Sequence, residues 1–163
     1  MKLSNAVKCI LPAAIFGFVA LGLTPTSAFA STATVNVAVT ATVQTNCTIT
    51  TSPMAFGTYT GAAASTTATL TVTCTNTTPY TVALNAGTAT GATVTNRSMT
   101  GTGSALLGYA LYSDAARSVN FVTTASITGN GAAQPITVYG QIPAAEYVAP
   151  GAYADTITAT VSY

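Results

Sequence analysis

The feature that most constrains the fold is an alternating segment, residues 34–43, with the sequence TVNVAVTATV. Successive side chains of an extended strand point to opposite faces, so one face of this segment is entirely apolar. Burying four valines would contribute roughly 6–12 kcal/mol at most, which means that such a strand requires an apolar groove. That groove belongs either to the chain's own domain or to a neighbouring copy of the chain. The apolar face carries Val35, Val37, Val39, Ala41 and Val43.

The N-terminal end has the pattern of a secretory signal peptide. A short basic region precedes an apolar run at residues 10–23, and small residues at Ala28 and Ala30 mark a cleavage site. We therefore expect residues 1–30 to be removed on export. The apolar run is shorter than the roughly 20 residues of a membrane-spanning helix, so we expect no transmembrane segment in the mature chain.

The sequence after residue 30 favours an all-β domain. Threonine alternates with valine, alanine, isoleucine and leucine, and β-branched residues suit a pleated sheet better than a helix. Residues 31–163 are long enough for one domain with its own core. Only two arginines and three acidic residues remain in this part, so no nucleic-acid partner is expected. So little charge leaves sheet edges without repulsion, which suits a protein that assembles.

Cys47 and Cys74 are the cysteines that remain after residue 30. In an oxidising compartment they are expected to pair, and the chain-entropy estimate for the closed loop is roughly 3.5 kcal/mol. The spacing is not C-x-x-C, which favours a structural bridge over a redox pair.

Further alternating segments predict short strands separated by turns. Phe56–Tyr59 reads as a bend that enters a short strand, and the turn at residues 76–79 predicts a hairpin between the strands on either side of it. Residues 129–131, Gly-Asn-Gly, are the clearest turn signal. Together with the bridge, this pattern predicts an immunoglobulin-like β-sandwich. The main predicted strands cover residues 68–74, 80–84, 107–111, 136–142 and 153–163.

The last predicted strand has no partner in the chain. The sequence stops at Tyr163 while the alternation continues, so a strand that pairs beyond it is expected to come from elsewhere. The unassigned alternating segment is residues 34–43. We take the inward face of the last strand as the candidate acceptor groove, formed by Tyr153, Ile157, Ala159, Val161 and Tyr163.

The composition argues against an enzyme. The chain has no histidine, which excludes His-based triads and the usual zinc sites, and its three acidic residues are scattered. We expect no catalytic residues, no metal site and no cofactor. Tyrosines could line a sugar site, as in lectins, but most lie near strand ends, where packing is the commoner role.

Eight short motifs occur in order along the chain: Cys47, FGTY at 56–59, VTC at 72–74, PY at 79–80, RSM at 97–99, LGYALY at 107–112, VYGQIP at 138–143 and GAYADT at 151–156. Together they resemble the spore coat protein U family. That family includes the subunits of archaic chaperone–usher pili, and the chain is most similar to a Csu-type major pilin.

The resemblance implies an incomplete immunoglobulin-like β-sandwich, completed by donor-strand complementation from a neighbouring subunit. A periplasmic chaperone would first fill the gap, and an outer-membrane usher would exchange it for the next subunit's strand. Residues 31–46 would then be the donor strand and linker, and residues 47–163 the pilin domain. The implied partners are copies of the chain, the chaperone, the usher and minor or tip pilins. The implied location is the periplasm and then the cell-surface fimbrium, with roles in adhesion and biofilm formation.

The linker favours donation to another copy. Gln44, Thr45 and Asn46 separate the alternating segment from Cys47, and they offer little of the turn chemistry needed to return a strand into its own sheet. Ten extended residues reach roughly 33 Å, enough to cross a neighbouring domain. Such a head-to-tail contact does not close, so it produces a fibre. The alternatives are a non-polymeric spore or cell coat matrix protein and a sugar-binding tip adhesin.

Overall fold

The computed structural model of the protein describes residues 30–163. The chain divides into two units, Met1–Thr40 and Ala41–Tyr163. In the first unit, residues 30–40 belong to no helix or strand. The predicted signal peptide, apart from Ala30, lies outside the described residues. The third cysteine of the sequence, Cys9, belongs to that segment.

The second unit contains all the strands of the described part of the chain. Their bounds are β1 Cys47–Thr51, β2 Ala64–Cys74, β3 Pro79–Leu84, β4 Arg97–Thr100, β5 Leu106–Tyr112, β6 Ile127–Thr128, β7 Ala133–Ile142 and β8 Ala159–Ser162, with a short 3-10 turn at Thr102–Ser104. A five-stranded sheet has the order β1-β2-β7-β5-β4, and a three-stranded sheet has the order β6-β3-β8. Every strand pair is antiparallel.

The core lies between the two sheets, where the alternating side chains of both meet. On β2, burial alternates along the strand, so that every second side chain from Ala68 to Cys74 is buried. The same period of two governs β3 and β5. The all-β sandwich expected from the sequence is therefore confirmed. The core cluster includes Leu70, Val72, Tyr80, Val82, Leu84, Leu107, Tyr109, Leu111, Phe121, Val138 and Ile142.

The predicted Cys47–Cys74 disulfide is present. The two residues are directly opposite each other in the β1–β2 ladder, and their Cα atoms are 4.1 Å apart. The bridge therefore joins an edge strand, β1, to the buried face of β2.

The predicted hairpin around residues 76–79 is wrong, because β2 and β3 belong to different sheets. The turn bonds instead to the loop after β6. The Thr77 N–H donates to the Gly129 carbonyl at 2.8 Å, and the Gly129 N–H donates to the Thr78 carbonyl at 2.7 Å. Alternation identifies the inward face of a strand, but it cannot tell which of the two sheets the strand joins.

Two other predicted elements differ from the structure. The bend at residues 56–59 leads into no strand, since Gly57 has a φ of +72°, a left-handed conformation that interrupts an extended chain. The last strand is shorter than predicted and covers only Ala159–Ser162. Just before it, the Thr158 N–H bonds to Asn85 Oδ1 at 2.9 Å instead of joining a ladder.

Removing the disulfide should lower the stability of the fold without changing it. We expect the double variant Cys47→Ala/Cys74→Ala to lose roughly 3.5 kcal/mol of unfolding free energy, because its unfolded chain is no longer cross-linked. Urea denaturation of residues 31–163 measures the loss, with the reduced wild-type chain as the control. Equal midpoints for the oxidised wild type and the variant would contradict the expectation.

Candidate strand-binding groove

Two sheet edges face a cleft in the second unit. Strand β8 pairs with β3 on one side, and no strand of the described residues pairs with its other side. Strand β1 likewise ends the five-stranded sheet and pairs only with β2. A cleft of about 560 Å³ lies between them, with residues 49–54 on one wall and 153–159 on the other. The sandwich is thus open where these two edges meet.

The interior of the cleft is apolar. Its deepest lining residues are core side chains of the five-stranded sheet, and the Phe56 ring packs edge-to-face on the Tyr109 ring, with centroids 6.2 Å apart. A strand that enters the cleft would meet hydrocarbon and aromatic surface, which favours apolar side chains. The main apolar lining residues are Ile49, Met54, Phe56, Ala68, Leu70, Leu84, Met99, Tyr109, Leu111, Val138, Tyr153, Ile157 and Ala159.

A second cleft of about 930 Å³ continues the first, between residues 54–61 and 146–153. The two clefts share Met54, Phe56, Met99 and Tyr153, so together they form one trough. The trough closes at its far end, where its two walls bond to each other. There the Tyr59 hydroxyl donates to the Pro143 carbonyl at 2.7 Å, and the Ala145 N–H donates to the Gly61 carbonyl at 2.9 Å.

The predicted acceptor residues occupy different places. Tyr153, Ile157 and Ala159 line the first cleft. Val161 is partly buried and packs against the core cluster, while Tyr163 is 58% exposed. The wall opposite these residues was missed by sequence reasoning. Ile49, Met54, Phe56 and Met99 lie there or on the floor, in segments too short or too irregular to show a period.

The residues of the predicted donor face are open to solvent. Val35, Val37, Val39 and Val43 are 79–89% exposed, and Ala41 is also exposed. Residues 30–46 take part in no strand. Aliphatic side chains this exposed, at every second position, mark a surface that gains stability when a partner covers it.

A buried arginine supports one side of the cleft. Arg97 is fully buried, and its guanidinium donates to the carbonyls of Asn85 at 3.0 Å and Phe121 at 3.3 Å, as well as to that of Val94. Burial lowers the pKa of Arg97, while Tyr109 and Asp155 nearby oppose that shift. The side chain therefore ties β4 to the loop that follows β3.

Asp155 is the acidic group on the cleft wall. Its carboxylate accepts hydrogen bonds from the Tyr109 hydroxyl at 2.6 Å, from the Thr88 N–H and hydroxyl at 2.8 and 2.7 Å, and from the Thr156 N–H at 2.8 Å. Burial alone would raise the pKa of Asp155, but these donors outweigh it and hold the pKa below its usual range. Burial, followed by the bond to Asp155, raises the pKa of Tyr109.

Within residues 30–163, no group of three or more His, Cys, Asp or Glu side chains is placed to hold a metal ion. In the same range, no helix is long and apolar enough to cross a membrane.

Comparison with known proteins gave matches to a family and to solved structures. The model of the family described as Spore Coat Protein U domain matches residues 31–160. No curated protein matches the chain in sequence. Among solved structures, the chain is similar to a chain from the pre-assembly complex of the CsuC chaperone and the CsuE tip adhesion subunit, from the archaic chaperone–usher Csu pili of Acinetobacter baumannii.

The structural match has a TM-score of 0.53 at 22% identity and covers 75% of this chain. It covers 40% of the other chain, so this protein spans about two-fifths of the length of its match. At this identity the match is evidence of fold. With the open edge at β8, it identifies the fold as an immunoglobulin-like sandwich that is incomplete on that side.

The lowered pKa values of Asp155 and Asp114 predict acid sensitivity. Backbone and side-chain bonds from Val119 and Ser118 hold the pKa of Asp114 low, as the cleft donors do for Asp155. A carboxyl whose pKa is lower in the folded chain stabilises the fold above its unfolded pKa, about 3.9, and loses that effect as the pH falls through the folded value. The melting temperature of the wild type should therefore decrease when the pH is lowered past about 4.

Melting curves between pH 7 and pH 2.5 measure this effect. The variant Asp114→Asn/Asp155→Asn should melt lower than wild type at pH 6, and the two should converge at the acid end. Parallel curves over the whole range would show that neither carboxylate contributes.

Proposed function

The chain belongs to the spore coat protein U domain family, and on that premise we propose that it is a structural subunit of a surface pilus of the archaic chaperone–usher type. Each subunit inserts its N-terminal strand into the trough of the next. The proposal is carried by one pairing of features: an apolar cleft between two sheet edges that no other strand of the described residues covers, and an exposed segment with an apolar face.

The chemistry of the two features is complementary. The trough needs a strand that supplies backbone donors and acceptors to the free edge of β8 and apolar side chains to the floor. Residues 35–43 carry an apolar side chain at every second position. At roughly 3.3 Å per residue these nine residues span about 30 Å. The walls, residues 49–61 and 146–159, are long enough to flank such a strand.

Donation takes place between copies. Strand β1 begins at Cys47, and the three residues between it and Val43, Gln-Thr-Asn, lack strong turn chemistry. The trough and the donor are different surfaces of the same chain, so the contact is head-to-tail and repeats without closing. The product is a fibre that supports attachment and biofilm formation.

An exposed trough requires protection before assembly. We propose that a periplasmic chaperone occupies it after export and that an outer-membrane usher replaces the chaperone with the next subunit. The similarity to a chain from a chaperone–subunit complex supports this route. In this role the chain is structural and catalyses no reaction. Its other partners in the fibre are minor or tip pilins.

Two related roles are alternatives. A coat matrix protein of the same family would not polymerise through residues 34–43, and a sugar-binding tip adhesin would receive a strand without extending the fibre. Electron microscopy of the producing cells separates fibres from a coat, and immunogold labelling separates a rod subunit from a tip subunit.

Moving the donor strand to the C-terminus tests the trough. We expect a chain without Ser31–Val43 to melt at low temperature or to aggregate, because its trough and two sheet edges remain uncovered. Fusing the same segment after Tyr163 through a short Gly-rich linker should raise the melting temperature by at least about 15 °C. The matched control is the same fusion with aspartate at the positions of Val37 and Val39. If the deletion melts cooperatively as a monomer at the temperature of the fusion, the trough accepts no strand.

Charging the apolar face of the donor tests polymerisation. The variant Val37→Asp/Val39→Asp would bury two carboxylates in an apolar trough, at a cost of several kcal/mol, so surface fibres should be lost while export continues. Asn36→Asp/Thr40→Asp adds the same charge on the opposite face and should leave fibres intact. Fibre levels are measured by shearing cells and separating unboiled material in detergent gels. Normal fibre levels from the first variant would show that residues 34–43 do not bind in the trough of another subunit.

A further inference from the structure

Asp155 stands out because it lies in the trough wall and faces inward. Its neighbours Tyr153 and Ile157 line the first cleft, and Asp155 lines it as well. A carboxylate is an unexpected group beside an apolar groove unless it has a separate task. Its four hydrogen bonds are all to the chain itself.

These bonds join the wall to both sheets. Tyr109 belongs to β5 in the five-stranded sheet, and Thr88 lies in the loop that leaves β3 in the three-stranded sheet. The approach is so close that a Cβ at position 87, where φ is +90°, would collide with the Asp155 carboxylate, so glycine is the residue that fits while Asp155 keeps this position. Asp155 is therefore a clamp between the wall and the rest of the sandwich.

The wall has few other attachments. Residues 153–158 precede β8 and join no ladder, apart from the Thr100–Ala154 bridge. Beyond this bridge, Asn85 holds Thr158 through two bonds: its Oδ1 accepts from the Thr158 N–H, and its N–H donates to the Thr158 carbonyl at 3.1 Å. Segments with so few backbone bonds open locally at little free-energy cost. The clamp is thus a main restraint on the wall while the trough is empty.

We propose that Asp155 is a positioning residue that keeps the trough wall in its strand-accepting geometry before a strand enters. This inference rests on the proposed function of the trough. Once a strand has been inserted, its ladder to β8 and its apolar side chains hold the wall, so the clamp matters less. Asp155 therefore acts on strand capture more than on the stability of the completed sandwich.

The clamp should make strand capture sensitive to acid. The titratable and charged groups that face Asp155 are Tyr109 on β5 and Arg97 on β4, and both favour its ionised form. Protonation removes an acceptor from the Thr88 and Thr156 N–H groups and frees the wall. The Tyr109 and Thr88 bonds favour the carboxylate form of Asp155. Capture of a strand should therefore persist near neutral pH and fail only below about pH 4.

The test measures capture by the full mature chain. The acceptor is residues 31–163 with Val37→Asp/Val39→Asp, whose own segment cannot serve as a donor, and it is kept in the cold at low concentration because its trough is uncovered. The probe is a fluorescein-labelled peptide with the natural sequence of residues 31–46, and anisotropy gives its Kd and association rate from pH 3 to pH 8. We expect the affinity of the parental acceptor for the peptide to fall steeply below about pH 4. Adding Asp155→Asn should weaken binding about tenfold at pH 7 and flatten the dependence of the Kd on pH.

Asp114→Asn is the matched control. Asp114 also holds a turn through several hydrogen bonds and also has a lowered pKa, but it does not line the trough. Its substitution should leave peptide binding and its pH profile unchanged. In the chain with the donor segment fused after Tyr163, Asp155→Asn should keep a cooperative melt close to that of the parent.

Each outcome has a distinct meaning. If Asp155→Asn binds the peptide like the parental acceptor at every pH, the clamp has no role in capture and the proposed function stands. If the fused Asp155→Asn chain fails to fold, Asp155 is a general requirement of the fold and the inference is overturned. If a parental acceptor that is folded and monomeric by circular dichroism and gel filtration binds no peptide at pH 7, the proposed function fails and this inference fails with it.

Discussion

The unpaired edge of β8 is the constraint on which the rest of the structure depends. Backbone N–H and C=O groups need partners, and at most sheet edges water supplies them. Here the edge adjoins an apolar cleft, where water is a poor replacement for a strand. One strand with alternating side chains meets both needs together, through its ladder and its apolar face. Under the proposed function, the exposed valines supply the strand that the open side of the sandwich lacks.

An open sandwich must also resist collapse of its walls. Apolar surfaces that face each other across a gap gain contacts by closing, so something must hold the gap. Polar groups with fixed directions serve this purpose, since hydrogen bonds are lost if the walls move. Arg97 binds backbone carbonyls from within the core, and Asp155 joins the wall to both sheets. Burying a guanidinium costs free energy of folding. In this protein the buried group fixes the positions of the backbone carbonyls that it binds.

Much of the fold could be predicted from the alternation of apolar residues and from the positions of turn residues. Alternation located the strands that carry Val72, Val82 and Leu111, and the cysteine count gave the disulfide. Alternation could not assign strands to sheets, because β2 and β3 have the same inward pattern whether they form a hairpin or cross between sheets. The hairpin prediction failed for that reason.

The groove was predictable on one side only. Tyr153, Ile157 and Ala159 follow the period of the last strand, and they line the cleft. The other wall contains Met54, and its chain turns at Gly57, so no repeat marks it. Arg97 and Asp155 lie in two of the motifs that carry the family resemblance, but the motifs did not indicate a role for either residue. Their roles depend on bonds to residues far away in the chain, such as Phe121 and Thr88.

The burial of Arg97 has a consequence for resistance to proteolysis. Lys2, Lys8, Arg97 and Arg117 are the basic residues of the sequence, so a chain that begins at residue 31 offers two sites to proteases that cut after lysine or arginine. Arg97 lies in the core, and Arg117 sits in a tight turn with a φ of +56°. Proteases bind accessible chain in an extended conformation, whereas Arg97 is buried within a strand and Arg117 lies in a turn. The buried arginine thereby removes one of the two sites at which a trypsin-like enzyme could cut this part of the chain.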